Sequence, residues 1–139
     1  MKPTLKIIVS VLLFINSIGA IFGGANLIDH PDGSSLQLSP DWLKHTPFDD
    51  YLVPGVVLFI TNGLLGFIVL ATLFLGFRKY PLFVIAQGVI LCGWLIVQVV
   101  LIRTIIGLHL FTFTIGVSLI LMGLILARIE RVKIKWSTV

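Results

Sequence analysis

Residues 82–102 read LFVIAQGVILCGWLIVQVVLI, and residues 105–127 read IIGLHLFTFTIGVSLILMGLILA, with only Arg103 and Thr104 between them. Neither run contains Asp, Glu, Lys or Arg. Each is long enough to cross a hydrocarbon core of roughly 30 Å as a helix, which takes about 20 residues. Two intervening residues allow nothing but a tight reversal, so the pair predicts an antiparallel helical hairpin. Two more runs without charge lie upstream, over residues 7–28 and 51–77. Backbone in lipid must be bonded within a helix or within a closed barrel, and these runs show little of the two-residue alternation a barrel needs. The expected fold class is therefore all-α: an integral membrane four-helix bundle, one domain over residues 1–139, with spans at about 7–28, 51–77, 82–102 and 105–127.

Composition leads to the same place. The 139 residues are 58% hydrophobic and 12% charged, with a mean hydropathy of +1.11. Soluble domains are about 45–50% apolar and about 25% charged, so an ordinary globular protein is excluded. Disorder is excluded as well, because so few charges cannot keep such a chain solvated.

The net charge of +4 matters less than its placement. Lys2 and Lys6 open the chain, Arg78 and Lys79 interrupt it, and Arg128, Arg131, Lys133 and Lys135 close it. With both termini inside, the inner face holds eight of the ten basic residues and the outer face only Lys44 and Arg103. Cytoplasmic loops are the basic ones, so the expected orientation is N-in/C-in. The basic clusters lack the interleaved aromatic residues of a nucleic-acid groove, and no nucleic-acid partner is expected. Cys92 stands alone within an apolar run, so no internal disulfide or CxxC redox pair exists. It reads as a small buried hydrophobe.

The first run also resembles a secretory signal: Lys2 and Lys6, an apolar stretch, then Gly23-Gly24-Ala25. The run continues past the usual length of such a stretch, and Gly19-Ala20-Ile21-Phe22-Gly23 is a GxxxG packing motif. A retained helix is expected. Residues 29–50 then form a long outer loop carrying five of the six acids. Pro31-Asp32-Gly33 is turn chemistry. Ser39-Pro40 suits an N-cap followed by Pro, starting a short interfacial helix with Trp42 and Leu43. Thr46-Pro47-Phe48-Asp49 fits a capping box for the second long helix, which places Pro54-Gly55 inside that helix as a kink.

Function in membranes usually shows as intramembrane charge, and these spans have none. Proton-coupled transport and voltage sensing lose their ordinary carriers. What is left is amides and hydroxyls, Asn16, Thr61, Gln87 and Thr112 among them. Asn26, Asn62, Trp94, Gln98, Arg103 and His109 lie toward the outer side, with Trp94 and Gln98 on one helical face. Together they predict an outward-facing polar pocket, set against a simpler role in which the amides bridge helices at about 0.6 kcal/mol each. Arg103 has an alternative role as an ion-pair partner for the acidic loop. His30, His45 and His109 match no metal-ligand spacing, so no metal is expected. Gly19 with Gly23, Gly63 with Gly66, Gly88 with Gly93 and Gly116 with Gly123 are expected helix-packing positions. No catalytic motif and no cofactor motif is present.

The layout resembles the small bacterial four-helix membrane proteins of the DoxX-like group. The shared features are the basic N-terminus, a first helix ending in Gly23-Gly24-Ala25-Asn26-Leu27, a longer outer loop, Asn62-Gly63-Leu64-Leu65-Gly66, and two closely joined final helices. Family members often carry a basic residue where Asn26 stands and an acid near Asn62. Both positions are neutral amides here, which removes charges that a redox or quinone-linked role would use. Residues 46–55 also resemble a Ser/Thr-Pro-Phe-x-x-Tyr-Leu-x-Pro-Gly segment of uncharacterised bacterial four-helix proteins, which implies no activity. The resemblance implies residence in a bacterial plasma membrane.

The expected function is a non-catalytic bundle that binds or stabilises a lipid or another membrane component, with the bilayer, a membrane protein or a second copy as partner. The alternatives are a carrier or channel for a small neutral or lipophilic molecule, and a quinone- or lipid-linked enzyme subunit.

Overall fold

The structure is a computed structural model that describes residues 2–44, 46–103 and 105–130. His45, one of the histidines weighed above, and the basic residues Arg131, Lys133 and Lys135 lie outside the described residues. The described chain is all-α, without strands. Its four helices are α1 (Lys2–Asp29), α2 (Leu52–Phe74), α3 (Tyr80–Ile102) and α4 (Gly107–Ile129). All four are long and apolar enough to cross a membrane.

The helix ends follow local chemistry. α1 begins five residues before the expected apolar start, because a helical backbone satisfies its own hydrogen bonds whether Lys2 to Lys6 sit in lipid or in water. Asp50, not Thr46, sets the start of α2: its Oδ1 accepts from the Leu52 N–H at 3.0 Å. Thr46 instead closes a small loop, with its Oγ1 accepting from the Phe48 N–H and donating to the Leu43 carbonyl. Pro54 therefore falls in the first turn of α2, where its missing N–H has no intrahelical role. The kink expected at Pro54-Gly55 does not arise there. The irregularity lies one turn on, where residues Phe59–Leu64 form a π-helical segment.

α2 also ends before the expected Phe77. Gly76 adopts φ 74°, and its N–H donates to the Leu73 carbonyl while the Phe77 N–H donates to the Thr72 carbonyl. These two bonds are the Schellman closure, and they require a residue at ease in the left-handed region. α3 starts with Pro81 in its first turn and ends at Arg103, whose N–H donates to the Val99 carbonyl. In the loop, Ser39 accepts from the Asp41 N–H and Pro40 opens a short 3₁₀ helix, Pro40–Leu43.

α1 packs along α2 and α3 packs along α4, and glycines set both seams. A Cβ on Gly24 would lie 2.7 Å from the Phe59 Cβ, and one on Gly55 would lie 2.6 Å from the Leu27 Cβ. Gly63 lies against Ile21 and Gly66 against Ser17 on the same seam. On the other seam, Gly88 meets the Gly116 carbonyl and Gly123 meets Ile85. The expected role of Gly19, Gly23 and Gly93 differs. A Cβ at Gly19 or Gly93 would meet nothing within 4 Å, and at Gly23 it would make an ordinary contact with Leu58. Gly24 is the glycine of α1 on which the backbones close, one position from the face the GxxxG motif suggested.

The two hairpins join away from the loop. There Val9 and Leu13 of α1 pack with Leu73 of α2, Val84 of α3, and Leu119 and Leu126 of α4. Lys2 Nζ pairs with Glu130 Oε1 at 2.7 Å, the Tyr80 hydroxyl donates to the same oxygen, and the Lys6 ammonium lies over the Tyr80 ring. A second, smaller cluster of Leu27, Leu43 and Tyr51 pins the loop to the other end. Large apolar side chains such as Phe22, Ile68, Phe74 and Leu110 stand exposed around the outside, the surface that a bilayer covers.

Candidate functional site

Between these two ends the hairpins do not meet fully, and a cavity of about 310 Å³ is left in the half of the bundle next to the loop. This volume lies at the small end of the range for ligand pockets, roughly 300–1,000 Å³. α1 contributes Asn16, Gly19, Ala20 and Gly23. Those four are small or short, and they recur every three or four residues, so they share one helical face. α3 contributes Leu91, Trp94, Leu95 and Gln98, and α4 contributes His109, Phe111, Thr112 and Ile115. Leu36, Leu38, Trp42 and Tyr51 form a lid from the loop side. Tyr51 is held in place by its hydroxyl, which donates to the Ser39 carbonyl at 2.6 Å.

The open side lies between α1 and α4. Gly19 has free space in front of it, and Ile15, Leu108 and Phe111 on the same rim are exposed. Leu13 and Leu119, about one turn further along α1 and α4 from the lining residues Asn16 and Ile115, are both fully buried. Among the described residues no Asp, Glu, Lys or Arg contributes to the wall, so these residues offer a charged molecule nothing to offset its desolvation.

Its polar groups are few and specific. The Asn16 side chain lines the cavity while 7% exposed, and its Nδ2 has no partner among the described residues. His109 accepts the Ile106 N–H on Nδ1 at 3.2 Å. That bond assigns the proton of the neutral ring to Nε2. Thr112 donates back to the Leu108 carbonyl, as helical threonines do, which leaves its oxygen able to accept.

Trp94, Gln98 and His109 line this one cavity. Asn26, Asn62 and Arg103 are not in this wall. Asn26 turns back on its own helix, its Nδ2 donating to the Phe22 carbonyl at 2.7 Å. Arg103 caps α3 in the left-handed region with its side chain exposed, and makes no ion pair with the acidic loop among the described residues.

Asn62 belongs to a separate buried network. In the π segment the Leu65 N–H reaches the Ile60 carbonyl, five residues back. The Thr61 carbonyl instead receives Gln87 Nε2 at 3.1 Å, and the same nitrogen reaches Asn62 Oδ1 at 3.4 Å. Asn62 Nδ2 donates to the Thr61 hydroxyl. The wide turn therefore frees a carbonyl for a cross-helix bond between α2 and α3, the bridging role of amides in membrane bundles.

Asn16 and the lid are what the sequence did not single out. Asn16 shares a face with Gly19 and Gly23, but reading that face as a cavity wall requires knowing that Gly24 takes the contact with α2. No protein-family model, curated protein or solved structure matches this chain.

Proposed function

We propose that the chain is an integral membrane protein of a bacterial plasma membrane, oriented N-in/C-in, that holds a lipophilic molecule in this cavity without chemical change. The observation that carries the proposal is an apolar, uncharged cavity open sideways between α1 and α4, at a level flanked by exposed apolar side chains. A molecule dissolved in a bilayer enters such a site without crossing water. Among the described residues the walls hold no carboxylate and no acid–base pair, which supports binding over catalysis. Packing of the bundle away from the loop, with Leu13 and Leu119 fully buried, argues against conduction. The eight-to-two distribution of basic residues supports this orientation, in which the loop and Trp42 lie on the outer face. The layout shared with DoxX-like proteins is consistent with this arrangement and lends it no activity.

Native mass spectrometry of the protein purified in mild detergent tests the proposal. The wild type should carry a bound lipid or small apolar mass, and Gly19→Leu, whose side chain enters the opening, should lose it while staying folded. A bare wild type, or equal retention by the two proteins, refutes it.

A further inference from the structure

Building on the binding role just proposed, we infer that the occupant is a phospholipid of the surrounding bilayer with a zwitterionic headgroup. One acyl chain lies in the cavity, the phosphate meets Arg103 and the ammonium meets Asp29. The cavity opens sideways past Ile15, Leu108 and Phe111, all exposed. What competes first for it is therefore what a bilayer holds in excess, its own acyl chains. The wall suits a hydrocarbon. The Asn16 Nδ2 has under 1 Å² of accessible surface, His109 Nδ1 is taken by the Ile106 N–H, and the Thr112 hydroxyl is bonded to the Leu108 carbonyl.

A chain that enters there keeps its headgroup outside, toward the loop, where the two helices flanking the opening carry opposite charges. α1 ends at Asp29, two residues and less than one turn past Leu27 of the cavity wall. Ahead of α4, Arg103 stands three residues before Ile106 of the wall, a stretch of chain that spans at most about 10–11 Å. Both side chains are exposed, and among the described residues neither makes an ion pair, whereas Lys44 is taken by Asp41. The Asp29 carboxylate sits at the negative end of the α1 dipole with no basic residue in the last turn, a place where a cation is stabilised. Arg103 holds φ 56°, a left-handed position that helix ends ordinarily give to glycine, and it carries the side chain best suited to a phosphate. The five aspartates of residues 29–50 outnumber Lys44 and Arg103 at this end, which disfavours an anionic headgroup. A guanidinium on one side and a carboxylate on the other match a phosphate followed by an ammonium.

Full-length protein, stripped of lipid in mild detergent, is titrated by native mass spectrometry with phosphatidylethanolamine, phosphatidylglycerol and diacylglycerol of identical chains. A fourth probe, glycerophosphoethanolamine, has the headgroup and no chains. Phosphatidylethanolamine should bind about fivefold tighter than diacylglycerol, the ratio that about 1 kcal/mol for one basic residue at a lipid surface supports, and tighter than phosphatidylglycerol. Arg103→Gln should bring phosphatidylethanolamine to the level of diacylglycerol and leave diacylglycerol unchanged. Asp29→Asn should remove the preference over phosphatidylglycerol. Gly19→Leu should weaken all three lipids, with circular dichroism confirming that each variant is folded, and the chainless headgroup should not bind. Wild-type protein that binds diacylglycerol or phosphatidylglycerol as tightly as phosphatidylethanolamine, or that binds the chainless headgroup, overturns this inference while leaving the binding role standing. The same holds if the protein as purified carries an apolar mass but rebinds none of these lipids; if it carries none, the binding role falls as well.

Discussion

Replacing Gly24 and Gly19 separately by Ala asks whether the face one position from the GxxxG motif is the true seam. At Gly24 the new methyl would lie 2.7 Å from the Phe59 Cβ and 2.8 Å from the Gly55 carbonyl oxygen. Carbon atoms rest at about 3.5–4.0 Å, so α1 and α2 must separate by roughly 0.5–1 Å, which forfeits a quarter to a half of each contact along the seam. Neither clashing atom is the end of a flexible side chain, so no rotamer change relieves it. Overpacking of this kind costs about 1–3 kcal/mol, offset by up to about 1 kcal/mol of helix propensity gained when Ala replaces Gly. At Gly19 the methyl meets nothing within 4 Å, and only the propensity gain applies. Unfolding by SDS titration in mixed micelles should therefore show Gly24→Ala destabilised and Gly19→Ala unchanged or slightly stabilised, a difference of about 1–3 kcal/mol because the propensity gain is common to both. Equal destabilisation of both variants would refute the assignment of the seam and the cavity wall together.

Acidification gives a further test at the two ends of the bundle. The Lys2 ammonium holds the Glu130 carboxyl below its ordinary value of 4.5, and the Ser34 N–H does the same for Asp32 from 3.8. Both carboxylates thus contribute stability that is full above those values and lost as pH falls through the lowered ones, so Glu130→Gln should flatten part of the acid limb of an unfolding-against-pH profile; an unchanged profile would show that the ion pair contributes nothing. For the buried network, Gln87→Leu should destabilise more than Asn62→Leu. It strips a partner from both the Thr61 carbonyl and Asn62 Oδ1, and SDS titration of the two variants checks the order. For orientation, cysteine at Ser34 or Ser35 should react with an impermeant reagent on intact cells and cysteine at Ser137 should not; labelling at Ser137 would reverse the topology.

The four helices were legible because long runs without charge leave the backbone no other means of satisfying itself in lipid. Turns written in local chemistry were legible too: Ser39 caps Pro40 as expected, and Gly33 takes the positive φ that Pro31-Asp32-Gly33 suggested. Where two local signals competed, sequence could not decide. Thr46 and Asp50 both precede the apolar run with capping side chains, and the outcome turned on the Tyr51 N–H bonding to the Pro31 carbonyl, a contact set by the loop. The π segment was invisible for a similar reason, since no residue type encodes a wide turn. The site was half legible. Trp94, Gln98 and His109 converge, but Asn62 lies in the α2–α3 seam, and which face of a uniformly apolar helix turns inward is a property of its neighbours.

The cavity itself follows from where side-chain volume is withheld. Val9 and Leu13 of α1 pack full-sized side chains into the core with Leu119 and Leu126 of α4, and the bundle closes there; over Asn16, Gly19, Ala20 and Gly23 the side chains of α1 are short or absent, with Ile15 and Leu27 beside them on the wall. Small residues ordinarily let helices approach until the gap disappears. Here α1 is already committed to α2 through Gly24, Gly55 and Gly63, and α4 to α3 through Gly88, Gly116 and Gly123. Each hairpin is set by its own glycine seam, so α1 cannot approach α4 without opening seams so close that a Cβ added at any of these glycines would lie 2.6 to 2.7 Å from its nearest neighbour. The lid adds a third constraint, because Tyr51 is fixed to both Ser39 and Pro31 and props the loop over the space. A gap bounded by two rigid seams and a pinned lid does not collapse, and an interior at ordinary packing density does not stay empty without cost. Occupancy by a lipophile, as proposed above, would satisfy both.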